Sequence, residues 1–187
     1  MNVHVALLHY PVYNRQRQII VSAFTNLDIH DIARAALTYG VNRFYLVTPL
    51  EDQRQLIQRL LSHWLEGYGS TRHPERKQAL ELVTPAASLA EVVGIIETDC
   101  GQKPELLVTS ASLAEATLSY SQAREKINQG NPLLILFGTG WGLAEEVLAM
   151  ADSRLAPIRG LSDYNHLSVR SAVAIILDRL MGRINDG

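Results

Sequence analysis

Leu133-Leu-Ile-Leu-Phe137 is the most apolar strand-length run in the chain, and Gly138-Thr-Gly-Trp-Gly142 follows it at once. A short apolar run closed by glycines reads as a strand buried on both faces. Such a strand needs a covering layer on each side, which points to an α/β architecture with a mostly parallel sheet. Small residues after it let main chain approach a ligand closely and offer N–H groups. In open α/β sheets ligands bind at this end of the strands.

The rest of the chain alternates in the same way. Val3–Leu8 reads as a buried strand. Ile29, Ile32, Ala33, Ala36 and Leu37 have helical spacing, and Gly40 is a stop. Phe44–Val47 is a short strand, and Leu56 to Leu65 is a helix stripe. Residues 66–78 read as a surface loop, and Leu80–Val83 as a strand closed by Thr84-Pro85. Ser88-Leu-Ala-Glu91 is a capping box opening a helix through Ile96. Glu105–Val108 is a strand, and Ser112-Leu-Ala-Glu115 is a second capping box, opening helical structure toward Ile127. The glycine loop leads to a helix through Leu148. A short Leu155–Ile158 segment, a polar turn and a helix from about Ser168 to Met181 complete the chain. That helix is apolar around most of its girth, so it is buried or lies in a subunit interface.

The length, 187 residues, suits one domain over 1–187, and no linker divides it. Apolar residues are 47% of the chain, which excludes disorder. No apolar run reaches the roughly 18 residues of a membrane span, and Met1 to His9 does not read as a signal peptide. The single cysteine, Cys100, excludes an internal disulfide and suits the cytoplasm. Six scattered histidines show no metal-ligand spacing, so no metal is expected. Residues 1–77 carry nine Lys+Arg against six Asp+Glu, while residues 78–187 carry eight against thirteen. Arginine dominates the cations, and arginine is the better bidentate phosphate ligand. This charge permits a nucleic-acid face on the N-terminal half without demanding one.

The glycine loop excludes one cofactor class and disfavours another. No Gly-Lys-Ser/Thr follows, so it is not a Walker loop. A dinucleotide fingerprint needs glycine where Leu143 stands and an acid about 20 residues on, where Arg159-Gly160 stands. A plain tight turn is the competing reading. A second polar stretch, Pro157 to Ala172, precedes the last helix, with Asn165 and Ser168 as natural N-caps.

The order of these motifs is specific. A strand, a glycine loop, the "Pro-Ile-x-Gly" of residues 157–160, then "Asn-His-Leu-Ser-Val-x-x-Ala" from Asn165 resembles the C-terminal motifs of the SPOUT (α/β-knot) RNA methyltransferases. Thr25-Asn-Leu-Asp-Ile-His-Asp-Ile-Ala-Arg34, with Gly40 and Arg43–Pro49, resembles the first motif of that superfamily. The likeness spans about residues 3–182 and is nearest the compact bacterial members. It implies a parallel sheet with helices on both faces and a C-terminal deep trefoil knot. It implies a homodimer with the active site at its interface.

The resemblance also implies S-adenosylmethionine bound across three loops. These are Thr109 and Ser110; Phe137, Gly138, Thr139, Gly140, Trp141 and Gly142; and Ile158, Gly160, Leu161, Tyr164, Asn165, His166, Leu167 and Ser168. Gly138 and Gly140 would leave the adenine room. Arg34 matches the Arg of the ribose-methylating branch, while the Asn of that motif falls at about Thr25, with Asn26 beside it. Ribose and base therefore both stay open as acceptors, in tRNA or rRNA. The candidate catalytic residues are Arg34, Asp31 and Asp163. Asp31 could pair with Arg34 in the i, i+3 relation. His9, Arg15 and Arg17 are weaker candidates, with an ordinary structural histidine and exposed arginines as the competing readings. The rival functions are a doubly wound nucleotide-cofactor enzyme such as a small reductase, and a catalytically silent RNA-binding module.

Overall fold

The computed structural model describes residues 2–66, 72–111, 116–162 and 164–183. Six parallel strands make the main sheet: β1 (Val3–Leu8), β4 (Arg43–Val47), β5 (Val83–Ala86), β6 (Glu105–Val108), β7 (Leu133–Gly138) and β8 (Ser153–Arg154). Their order across the sheet is β5-β4-β1-β7-β6-β8. The two most apolar runs, β1 and β7, lie side by side in the middle, with Val3 opposite Leu133 and Leu8 opposite Gly138. Desolvation drives this placement, because a central strand loses water on both faces.

Two apolar layers follow from the alternation of side chains along the strands. Val5, Leu7, Phe44, Leu46, Ile135 and Phe137 pack against one set of helices. These are α1 (Asn26–Thr38), α2 (Glu51–Leu65), α3 (Pro74–Leu80), α5 (Tyr120–Asn128) and α7 (Val169–Met181). Ala6, Leu8, Tyr45, Val47, Leu134 and Leu136 face the other way, toward α4 (Leu89–Cys100) and α6 (Glu145–Met150). Helices therefore cover both faces. In α7, Val173, Ile176, Leu177 and Leu180 are buried by the chain itself.

Several local expectations are corrected. Residues 74–80 form α3 rather than loop, with Pro74 in the first turn, where its missing N–H costs nothing. Leu80 belongs to that helix, and the strand starts at Val83 and includes Thr84-Pro85. The strand tolerates Pro85 because β5 is an edge. The Ser88 box is present in altered form. Ser88 Oγ accepts from the Glu91 amide, while Glu91 Oε2 reaches the amide of Ala87 instead of Ser88. The box at 112–115 lies outside the described residues. The helix toward Ile127 starts at Tyr120, under a reciprocal Ser119–Gln122 box. A feature not foreseen is a small antiparallel hairpin, β2 (Val12–Tyr13) and β3 (Ile19–Ile20), leaving the end of β1.

Two histidines of the β1 segment are buried, His4 and His9. Burial pushes both imidazoles down, from 6.5 to about 4, against the opposing pull of Asp99 on His4 and Asp28 on His9. The unfolded chain therefore binds the extra protons between pH 6.5 and 4. Stability from these groups is complete above 6.5 and falls as pH drops through that window. Thermal melts between pH 7 and 4.5 should lose about 2 kcal/mol per histidine. A His4→Gln/His9→Gln double variant should show a flatter profile, and an identical slope would contradict the assignment.

Candidate functional site

The C-terminal ends of β6 and β7 and the segment after β8 converge on one cleft of about 780 Å³. Its lining combines Thr109, Ser110 and Ala111; Phe137, Gly138, Gly140, Trp141 and Gly142; Ala156, Pro157 and Ile158; and Asn165, His166 and Leu167. Val169, Ala172 and Ile176 of α7 close one wall, and Arg17 of the hairpin reaches it. Three separated stretches of sequence thus line one cleft. The apolar wall suits a flat ligand, and Arg17, Thr109, Ser110, Asn165 and His166 bring polar groups to the same lining.

The glycine loop is held by the hairpin. Tyr13 N donates to Gly142 O at 2.9 Å, Trp141 N donates to Tyr13 O at 2.9 Å, and Ala144 N donates to Pro11 O at 3.1 Å. Val12 and Leu143 form an antiparallel bridge. A Cβ on Gly140 would stand 2.8 Å from Tyr13 O, and Gly140 has φ 59°. A Cβ on Gly138 would stand 2.8 Å from Leu143 Cγ. These two glycines therefore make room for neighbouring protein, a different use from the ligand room expected of them.

Thr139 faces away from the cleft lining. Its hydroxyl donates to Leu8 O at 3.3 Å and lies 2.5 Å from Ser22 Oγ. Ser22 Oγ is in turn 3.0 Å from His9 Nδ1. If Thr139 donates to Leu8 O, its one proton is used, so Ser22 is the donor to Thr139 and His9 Nδ1–H the donor to Ser22. These bonds tie the end of β1, the segment after the hairpin and the glycine loop. His9 is thus a buried structural histidine with a defined partner.

The last polar stretch is only partly in the site. Asn165 Nδ2 donates to Ala111 O at 3.1 Å, which fastens this turn to the loop after β6. Ser168 caps α7, its Oγ accepting from the Ser171 amide at 3.3 Å. Leu161 and Tyr164 are exposed, and with Gly160 and Ser168 they do not line the cleft. Asp163 lies outside the described residues.

Arg34 and Asp31 sit on the exposed side of α1, also away from the lining. Asp31 does not pair with Arg34 as its spacing suggested. Its Oδ2 is 3.5 Å from Nε of Arg170, whose Nη1 donates to Asp28 Oδ1 at 3.1 Å. Arg170 stands in the first turn of α7, so the two carboxylates of α1 anchor the turn that carries Val169 into the cleft. Asp28 is nearly buried and also accepts from Thr25 Oγ1 at 2.7 Å. This pairing crosses 142 residues of sequence, which is why local spacing could not reveal it. The sequence reading omitted Ala111, Ala156, Pro157, Val169, Ala172 and Ile176 from the lining, because small apolar residues carry no chemical signature. Arg17 was legible only as a loop arginine. Among the described residues no group of three His, Cys, Asp or Glu could hold a metal ion, and no helix is long and apolar enough to cross a membrane.

Residues 2–182 match a family described as SAM-dependent RNA methyltransferase. The chain is 46% identical over 181 residues to a tRNA (guanine-N(1)-)-methyltransferase of Oleidesulfovibrio alaskensis, covering 97% of this chain and 42% of that protein. It therefore spans less than half the length of that relative. It is 45% identical over 183 residues to an uncharacterized protein of Aquifex aeolicus, covering 97% of this chain and 89% of the relative. Among solved structures, it resembles the SpoU methyltransferase AviRb of Streptomyces viridochromogenes in complex with AdoMet. That likeness has TM-score 0.57 and 15% identity, and covers 95% of this chain and 56% of the other. At that identity it speaks for the fold.

The loop geometry makes its own test. Gly140→Ala meets both a left-handed backbone and the Tyr13 carbonyl, so it should destabilise by about 2–4 kcal/mol. Gly142 has φ 100°, but a Cβ there would meet nothing within 4 Å. The same change at Gly142 should cost only about 1 kcal/mol. Urea unfolding of both variants checks this; equal losses would mean the hairpin contact is not what constrains the loop.

Proposed function

The chain belongs to the SAM-dependent RNA methyltransferase family, and we propose that it transfers a methyl group from S-adenosylmethionine to a ribose or base of tRNA or rRNA. The observation that carries this reading is the meeting of three separate loops around one cleft at the C-terminal ends of β6 and β7. Its chemistry fits the cofactor. Phe137, Ile158, Leu167 and Ile176 offer apolar walls for a planar base, while Thr109, Ser110 and Asn165 supply polar atoms beside them.

Bound there, the cofactor would supply an activated methyl group on a sulfonium. The residues of this chain would hold and orient it, and would limit water at the methyl carbon. Most of the gain in rate would come from in-line placement of the acceptor. A hydroxyl or ring nitrogen acceptor must also lose a proton, which calls for a base or a nearby cation. Arg34 is our candidate for the cation, with Asp31 and Asp163 as candidate proton acceptors.

Arg34 and Asp31 do not line the cleft of their own protomer, so a role for them requires a second subunit. A homodimer that presents α1 of one protomer to the cleft of its partner would supply it. The exposed Leu27 on α1 and the partly exposed Ile175 and Met181 on α7 are consistent with such a contact. A C-terminal knot belongs to the same proposal. What supports it is that the chain after β8 meets the chain after β6 at two points, the Leu118–Leu155 bridge and the Asn165–Ala111 bond, before α7 packs on α1. The proposed acceptor is a ribose or a base.

Calorimetry with S-adenosylhomocysteine should give micromolar binding, and a tritiated-methyl assay on undermodified bulk RNA should give incorporation, with the product nucleoside identified after digestion. Binding of a nicotinamide dinucleotide instead would favour a small reductase. Cofactor binding without incorporation into any RNA pool would favour a silent RNA-binding module. Arg34→Ala should lower methyl transfer at least tenfold, about 1.4 kcal/mol in the barrier, while cofactor binding is kept. Full transfer by that variant would remove Arg34 from the mechanism.

A further inference from the structure

The tip of the β2–β3 hairpin carries a feature that packing does not demand. Asn14 Oδ1 accepts from the amides of Gln16 and Gln18, and Asn14 and Gln18 are joined again through main chain. This turn forces residue 17 to φ 62°. Glycine is the residue that such a left-handed hairpin position favours. An arginine stands there instead, and its guanidinium carbon lies 4.1 Å from the centroid of the Tyr13 ring.

Arg17 is the one lysine or arginine that lines the cleft among the described residues, and no carboxylate there pairs with it. The contact with the Tyr13 ring holds the guanidinium at the cleft mouth, and a guanidinium can meet a two-oxygen anion with paired N–H groups. Trp141 lines the same mouth, is 55% exposed, and is joined to the main chain of Tyr13 by its amide. A cation and an open aromatic face thus project from one hydrogen-bonded frame.

Resting on the reading of this cleft as a methyl-transfer site, we propose that Arg17 and Trp141 form the subsite for the RNA strand at its mouth. Arg17 binds a backbone phosphate and Trp141 stacks a nucleobase. A cation for the backbone beside an aromatic side chain for the base is the pairing by which proteins hold single-stranded nucleic acid. The carboxylate of the cofactor is the other anion that could meet Arg17. The phosphate is favoured because Arg17 is exposed at a loop tip, next to an aromatic face that a methionine tail would leave unused.

The test uses the full chain, an unmodified fluorescein-labelled tRNA transcript read by anisotropy across a salt series, and calorimetry with S-adenosylhomocysteine. Arg17→Gly suits the backbone, so its Tm should not fall. Its RNA Kd should rise about tenfold at 0.1 M salt, and the slope of log K against log salt should drop by about one. Its S-adenosylhomocysteine Kd should stay within twofold. Arg17→Lys should restore the slope but only part of the affinity, and Trp141→Ala should weaken RNA binding several-fold.

Weaker cofactor binding by Arg17→Gly with unchanged RNA binding would assign the cation to the cofactor carboxylate and overturn the proposal. No change in either, or no RNA binding by the unaltered chain, would leave Arg17 a surface stack and overturn it too. Loss of cofactor rather than RNA binding in Trp141→Ala would remove the stacking half. Failure of the unaltered chain to bind S-adenosylhomocysteine would instead sink the methyltransferase reading itself.

Discussion

A side chain carbon at Gly140 would stand 2.8 Å from the Tyr13 carbonyl oxygen, and the rest of the site depends on that space being empty. With it empty, the chain at 141–144 lies antiparallel to 11–13 and shares main-chain hydrogen bonds with it. The glycine loop is thereby fixed at both ends, by β7 before it and by the hairpin beside it. Fixing a loop costs about 1–2 kcal/mol of entropy per residue, which hydrogen bonds within the fold offset before any ligand arrives. A preorganised loop then binds with less ordering left to do.

A second fastening holds the other side of the cleft. Arg170 reaches from the first turn of α7 to Asp28 and Asp31 on α1, and Asn165 reaches the carbonyl of Ala111. These contacts join residues far apart in the chain and set where the polar turn before α7 runs. They also reassign Asp31. A carboxylate that looked like a partner for Arg34 is engaged by a different helix, and Arg34 is left exposed on α1. Neither residue lines the cleft.

Two buried polar residues, His9 and Asp28, add further ties between distant segments. His9 sits at the end of β1 with no exposed surface, bonded through Ser22 toward Thr139 of the glycine loop. Burial keeps its imidazole neutral near pH 7, so it serves as a fixed dipole rather than a charge. Asp28 is nearly buried yet receives both a hydroxyl and a guanidinium, as a buried carboxylate must.

The family resemblance implied the three loops that meet at the cleft, while the α/β alternation and the buried character of the runs 3–8 and 133–138 were legible in the order of residues. Those features rest on local periodicity and on glycine, which act over a few residues. The motif order also led to the family that the whole-chain comparison matches. The small apolar part of the lining was not legible, since Ala156, Ala172 and Val169 look like any core residue until the folded chain makes a wall of them. Folding likewise settled that Asp31 faces Arg170, that Gly138 and Gly140 make room for protein, and that the Arg17 loop reaches the cleft beside Trp141. Each of those is a contact between segments distant in sequence, and such contacts are set by how the sheet brings its strand ends together.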